Sequence, residues 1–112
     1  ERTRGLIGAA ELACMRPSAY LINTARGAIV DESSLLAALR ADGIAGAALD
    51  VHHVEPFPAE HPLRELSPHK VLLTPHVGWQ RIESRQRLVD TVADNICAWR
   101  DGRVRQDGNV VN

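Results

Sequence analysis

Cysteine is scarce in this 112-residue sequence: Cys14 and Cys97 stand alone, far apart, at no metal-ligand or redox spacing. That excludes a disulfide scaffold or zinc module and leads us to expect two buried free thiols in a reducing compartment, by default the cytoplasm. No apolar stretch approaches the length of a membrane span, and no charged start followed by an apolar core reads as a signal peptide. Charge of one sign is also missing: 13 basic and 14 acidic side chains leave a formal charge of -1. Nothing in that balance attracts nucleic acid or an anionic membrane in general, so small molecules or other proteins are the expected partners. Repeats and low-complexity tracts are absent as well.

What is present is ordinary globular composition, 45% hydrophobic and 24% charged. The length allows one small core and not two domains. The opening "ERTRGLIG" reads as mid-domain sequence, so a piece of a longer chain is expected.

Residues 9–15, "AAELACM", predict a short helix stopped by Pro17, because the residue before a proline is pushed out of helical dihedrals. "AYLINT" (19–24) is a compact apolar run ending in polar residues, as for a strand covered on both faces. "ARG" then turns the chain. Asp31 can cap the next helix, Glu32 adds favourable charge to its first turn, and Leu35, Leu36 and Leu39 form an apolar stripe. Gly43 should end it in a left-handed conformation. "GAALDV" (46–51) predicts a second strand, whose small residues suggest a closely packed helix. "HHVEPFPAEHP" (52–62) is too proline-rich to be regular, "LREL" adds one helical turn, and "KVLLT" (70–74) predicts a third strand. From about Gln80 to Arg100 runs the longest helix, with Leu88, Val92, Ile96 and Trp99 on one face as core, and Gly102 as its stop.

Buried strands alternating with helices imply right-handed crossovers and a parallel sheet, which carries its ligands at the carboxyl ends of the strands. Those ends are Arg26, Asp50 with the loop reaching Glu55, and His76. A guanidinium matches a carboxylate bidentately, so Arg26 can hold a carboxylate substrate and polarise an adjacent carbonyl. His76 can give or take a proton near neutral pH, and a carboxylate at the other ring nitrogen, for which Glu55 is the candidate, favours the imidazolium. Together they suit the reduction of a 2-keto acid: arginine orients it, a hydride arrives at carbon, and histidine protonates the oxygen. Each residue also has a plainer reading. Taken singly, Arg26 reads first as a solvated turn residue, Glu55 as an exposed loop acid, His76 as a hydrogen-bonded structural residue and Asp50 as a bonder of turn backbone, and only their joint placement argues otherwise. Trp79 could line the cleft or pack the start of the last helix. A metal site in "HHVE", with His52, His53, Glu55 and nearby His61, lacks the helical spacing that aims ligands at one point.

The stretches "LINTARGAIVDESSLLAAL", "GAALDVHHVEP" and "LLTPHVGW" closely resemble the D-isomer-specific 2-hydroxyacid dehydrogenases, in the second half of their nucleotide-binding domain. The resemblance implies a partial Rossmann-like doubly wound α/β fold, with about three parallel strands and flanking helices, and NAD or NADP as cofactor. It gives Arg26 the role of substrate-binding arginine, Glu55 that of partner to the histidine, and His76 that of catalytic acid/base. Asp50 matches the aspartate that contacts the nicotinamide carboxamide, Thr24 and Ala25 a backbone segment along the nicotinamide side, and Gly78 a close backbone approach to the cofactor. Arg26 and His76 border the cofactor too.

Within the family, "EPFPAEHPL", "TPHVGW" and the closing "NVVN" look most like glycerate dehydrogenases, also called hydroxypyruvate reductases. Hydroxypyruvate/glycerate or glyoxylate is the implied substrate, and a homodimer the implied assembly. The family often has an aromatic residue where His52 stands and a small one where Gln80 stands. It begins this domain with a glycine-rich turn for the pyrophosphate, and no "GxGxxG" occurs here. Residues 1–112 are therefore expected to be the second half of a Rossmann-type NAD(P)-binding domain, lacking that turn and the substrate-binding domain. Such a piece should be inactive alone and should expose an apolar edge and face that favour self-association. The competing reading is a dehydrogenase-fold module that senses a dinucleotide, or binds a protein, without turnover.

Overall fold

A computed structural model describes residues 2–103 and divides the chain into two compact units, Glu1–Val77 and Gly78–Asn112. The "NVVN" at 109–112 lies outside the described residues.

The first unit holds helix α1 (Ala9–Ala13), strand β1 (Tyr20–Asn23), a 3-10 turn (Gly27–Ile29), helix α2 (Glu32–Arg40), strand β2 (Gly46–Leu49), a second 3-10 turn (Pro62–Glu65) and strand β3 (Val71–Leu73). The strands are parallel and lie in sequence order β1-β2-β3, with Asn23 level with Leu49 and Leu49 level with Leu73. All three carboxyl ends therefore reach one edge. The opening segment is tied to the chain after β1, where Ile7 bridges Val30 in parallel and donates its N–H to the carbonyl of Ile29 at 3.0 Å.

Helix α2 forms as its sequence dictates. Asp31 accepts the Ser34 N–H at 3.3 Å, satisfying one of the donors a helix start leaves unpaired, and its carboxyl is held below the ordinary range, first by the Ser34 hydroxyl and then by that of Ser33. Leu35 and Leu39, one turn apart, are fully buried. The helix ends one residue earlier than expected: Asp42, at φ 55°, takes the left-handed position rather than Gly43. Gly43 donates its N–H back to Ala38 and Asp42 its N–H to Leu39, the paired bonds of a Schellman ending. The carboxylate of Asp42 meets Lys70 at 2.7 Å, a contact glycine could not make, and the lysine holds that carboxyl low.

One core joins Leu12, Val30, Leu35, Leu39, Ile44, Ala47, Leu49, Leu63 and Val71. Side chains alternate across a strand, so Asn23, Ala47, Leu49 and Val71 turn inward while Tyr20, Ile22 and Leu72 turn out. The expectation that β1 is covered on both faces is corrected: Ile22 is 71% exposed, because only one face of the sheet carries a packed layer within this unit. Gly46 is small for a different reason than expected. A Cβ there would stand 2.7 Å from the Lys70 carbonyl and about as close to the Tyr20 ring, so it answers to its neighbouring strands and not to a helix. Cys14 is exposed rather than buried, since it caps α1 outside that helix's buried stripe at Leu12.

The second unit contains helix α3 (Ile82–Arg100). Gly102 stops it as expected, at φ 69°, with its N–H on Trp99 and that of Arg103 on Ala98. Its stripe is not core: Leu88, Val92, Ile96 and Trp99 are all exposed, and Ala98 is the helix's one buried residue. A single helix has nothing within itself to bury an apolar face against. Cys97, also expected to be buried, is exposed on this helix. Among the described residues no helix is long and apolar enough to cross a membrane.

Candidate active site

At the edge where the three strands end, each candidate side chain is presented by a fastened turn. After β1, buried Asn23 accepts the Ala25 N–H at 3.1 Å and donates its amide to the Arg26 carbonyl at 2.9 Å, which shapes the exposed segment of Thr24, Ala25 and Arg26. Gly27 follows, and a Cβ on it would stand 2.0 Å from the His52 carbonyl carbon. Only glycine allows the chain after β1 to lie this close to the chain after β2.

After β2, Asp50 is buried and accepts both the Thr74 hydroxyl and the Val77 N–H, the latter at 2.9 Å. The plainer reading of Asp50 as a bonder of turn backbone is therefore part of the picture, and the turn it bonds is the one that carries His76. Further on, Glu55 makes two bonds. Oε1 accepts the His52 N–H and Oε2 meets Nδ1 of His76, each at 2.9 Å. These contacts, the histidine first and the His52 amide second, hold the Glu55 carboxyl below its ordinary value. A cis bond joins Glu55 to Pro56.

After β3, His76 adopts φ 57°, a left-handed conformation uncommon for a side chain of its size. With Nδ1 directed at the Glu55 carboxylate, Nε2 is the ring nitrogen left to exchange a proton with another molecule. The His76 side chain is 36% exposed, accessible without being free of its neighbours.

The structure thus joins Glu55 and His76 directly and links Asp50 to them through the turn. The Arg26 guanidinium is exposed and donates to the Ala25 carbonyl at 2.7 Å, so it shares the edge without bonding to the other three. Gly78 opens the second unit, and Trp79 beside it is exposed. The "HHVE" histidines and nearby His61 diverge: His52 reaches Thr74, His53 reaches Arg4, and His61 reaches Glu32. Among the described residues no three His, Cys, Asp or Glu side chains converge as metal ligands.

Two contributors escape a reading of the sequence. Asn23 leaves one signal, a polar residue closing an otherwise apolar strand. The fit of Gly27 against His52 leaves none, since it joins segments 25 residues apart in a backbone contact.

Residues 1–78 match the family model described as "D-isomer specific 2-hydroxyacid dehydrogenase, NAD binding domain". A glyoxylate reductase of Thermofilum pendens is 46% identical over 98 residues, covering 88% of this chain and 28% of that protein. A glyoxylate/hydroxypyruvate reductase B of Pectobacterium carotovorum is 46% identical over 110 residues, covering 98% of this chain and 33% of its own length. The chain thus spans about a third of the curated relatives it matches. Among solved structures, a D-isomer specific 2-hydroxyacid dehydrogenase from Xanthobacter autotrophicus Py2, in complex with NADPH and MES, superposes with a TM-score of 0.73 at 42% identity over 90% of this chain and 40% of that one. The three parallel strands with flanking helices are those of the Rossmann-like NAD-binding domain, and the chain belongs to the family of D-isomer specific 2-hydroxyacid dehydrogenases.

Proposed function

We propose that this chain forms the nicotinamide-side half of the active site of an NAD- or NADP-dependent reductase of small 2-keto acids, with glyoxylate and hydroxypyruvate favoured by the relatives' names. The observation that carries the reading is the 2.9 Å contact between Glu55 and Nδ1 of His76 at the strand ends. Arg26 binds the substrate carboxylate through its guanidinium fork. Glu55 fixes the His76 ring by accepting its Nδ1–H, and His76 gives the proton on Nε2 to the substrate's carbonyl oxygen, or takes it back in the reverse direction. The nicotinamide, when bound, supplies the hydride.

The donor set suits that group. The Asp50 carboxylate is an acceptor suited to a carboxamide N–H, the exposed residues Thr24 and Ala25 lead into Arg26 at the same sheet edge, and the family resemblance adds Gly78. Residues 1–112 contain no "GxGxxG", so in this reading the pyrophosphate seat and the substrate-binding domain come from a longer polypeptide, working as a homodimer. A dinucleotide sensor without turnover would have no use for a carboxylate-held histidine.

The test compares the longer polypeptide with this chain in NADH- or NADPH-dependent reduction of glyoxylate and hydroxypyruvate. The longer protein should turn over, and H76A should lower kcat by at least about 100-fold while cofactor affinity stays within about 2-fold, since the imidazole acts on substrate. Surviving rates in H76A would remove the proton-donor role, and turnover by the 112-residue chain alone would overturn the division of the site.

A further inference from the structure

His52 carries an unusual set of bonds for a loop residue. It is only 6% exposed, and its Nε2 lies 3.0 Å from the Thr74 carbonyl oxygen. A carbonyl only accepts, so Nε2 bears the hydrogen. Nδ1 is buried with no partner among the described residues, and Phe57 lies against the ring at 4.1 Å between centroids. The backbone N–H of the same residue bonds Oε1 of Glu55. One residue therefore holds both sides of the Glu55–His76 pair, the carboxylate through its amide and the histidine's turn through its ring.

We propose that His52 is a positioning residue for His76, acting through the carbonyl of Thr74. This rests on the function proposed above. The Thr74 peptide is where the turn is fastened: its N–H donates to the Leu49 carbonyl at 2.9 Å, and its carbonyl takes the His52 hydrogen. Pro75 has no N–H with which to hold the next link. His76 then takes its left-handed conformation at φ 57°, which persists only where surroundings enforce it. Beyond it, the Val77 N–H is anchored on Asp50. Removing the His52 donor strands the Thr74 carbonyl and frees the upstream half of that clamp. An apolar aromatic at position 52 could fill the volume and stack on Phe57, and it could not supply the bond.

Substitutions separate the bond from the packing. His52→Phe keeps the ring and its stacking without a donor, whereas His52→Gln returns an N–H at about the reach of Nε2. In the longer polypeptide, H52F should lower kcat about 10-fold with KM within about 2-fold, because small displacements of a catalytic group cost rate more than binding. H52Q should recover kcat to within about 3-fold of the parent. In the 112-residue chain, long-range proton–nitrogen spectra of labelled histidine should show His52 as the Nε2–H tautomer. The His76 ring resonances should move in H52F and return in H52Q. An Nδ1–H tautomer at His52, or unchanged His76 signals and kcat in H52F, overturns the proposal. Failure of H52Q to rescue a folded protein does the same, since packing alone would then explain the loss. If the longer protein reduces neither acid, the functional reading fails while the spectra still decide whether His52 governs the His76 turn.

Discussion

The two units of the chain treat their apolar residues in opposite ways. In Glu1–Val77, Leu35 and Leu39 of α2, Ile44 and Leu63 close into one core with almost no exposure. In the other, α3 repeats the same spacing with Leu88, Val92 and Ile96, and all three stand exposed. Helical periodicity alone does not make a residue core; a second layer in reach does. The contrast recurs within the first unit, where one face of the sheet is packed and the other shows Tyr20, Ile22 and Leu72.

The sharpest way to break the first unit is Gly27→Ala. Its Cβ would fall 2.0 Å from the His52 carbonyl carbon, with backbone on the opposing side, so no rotamer change relieves it. We expect a loss of about 3 kcal/mol or more, read by urea denaturation, and an alanine variant of parent stability would show that this approach opens in solution. Leu35→Ala, at a residue with no exposure, should cost about 3 kcal/mol as a cavity.

Acid should separate the units next. Carboxyls held below their ordinary values are Glu11, Asp31, Asp42 and Glu55 in the first unit and Asp101 in the second. A depressed carboxyl stabilises the fold in full above its unfolded value, 3.8 for Asp and 4.5 for Glu, and that contribution is lost as pH falls through the folded value. Stability should therefore drop below about pH 4.5, more in the first unit than in α3, as amide spectra recorded through the titration would resolve. These groups are exposed, Asp31 only in part, so high salt should shrink the effect. A first unit whose stability stays level down to pH 2 would contradict the assignment.

The smallest effect is expected at Ile96→Ala, within about 0.5 kcal/mol because the side chain is already exposed. A cost above about 1 kcal/mol would mean that the α3 stripe is covered in solution.

Much of this was legible from the residues. Local chemistry announced itself in the Asp31 cap, the Gly102 stop and the three strands, and the parallel topology those strands imply brings Glu55 and His76 to one edge. What escaped depends on contacts between distant segments. An apolar pattern says which face seeks cover and not what provides it, so Ile22 and the α3 stripe carry the pattern of buried residues while standing exposed. Gly43 looked like the helix terminator because glycine is the usual left-handed residue, yet Asp42 takes that place and its carboxylate meets Lys70 from 28 positions away. His52 looked like a departure from an aromatic or a stray metal ligand, and only the fold reveals its bond to Thr74.

The approach of Gly27 to the peptide of His52 works as a mechanical stop. It is set by main chain against main chain, so the spacing from the arginine turn to the segment bearing Glu55 does not follow the sizes of the side chains packed behind the sheet. Sequences can drift in their hydrophobic layer, and engineers can refill it, while that gap keeps its width. The feature that tolerates no change at one position is what lets the positions behind it vary.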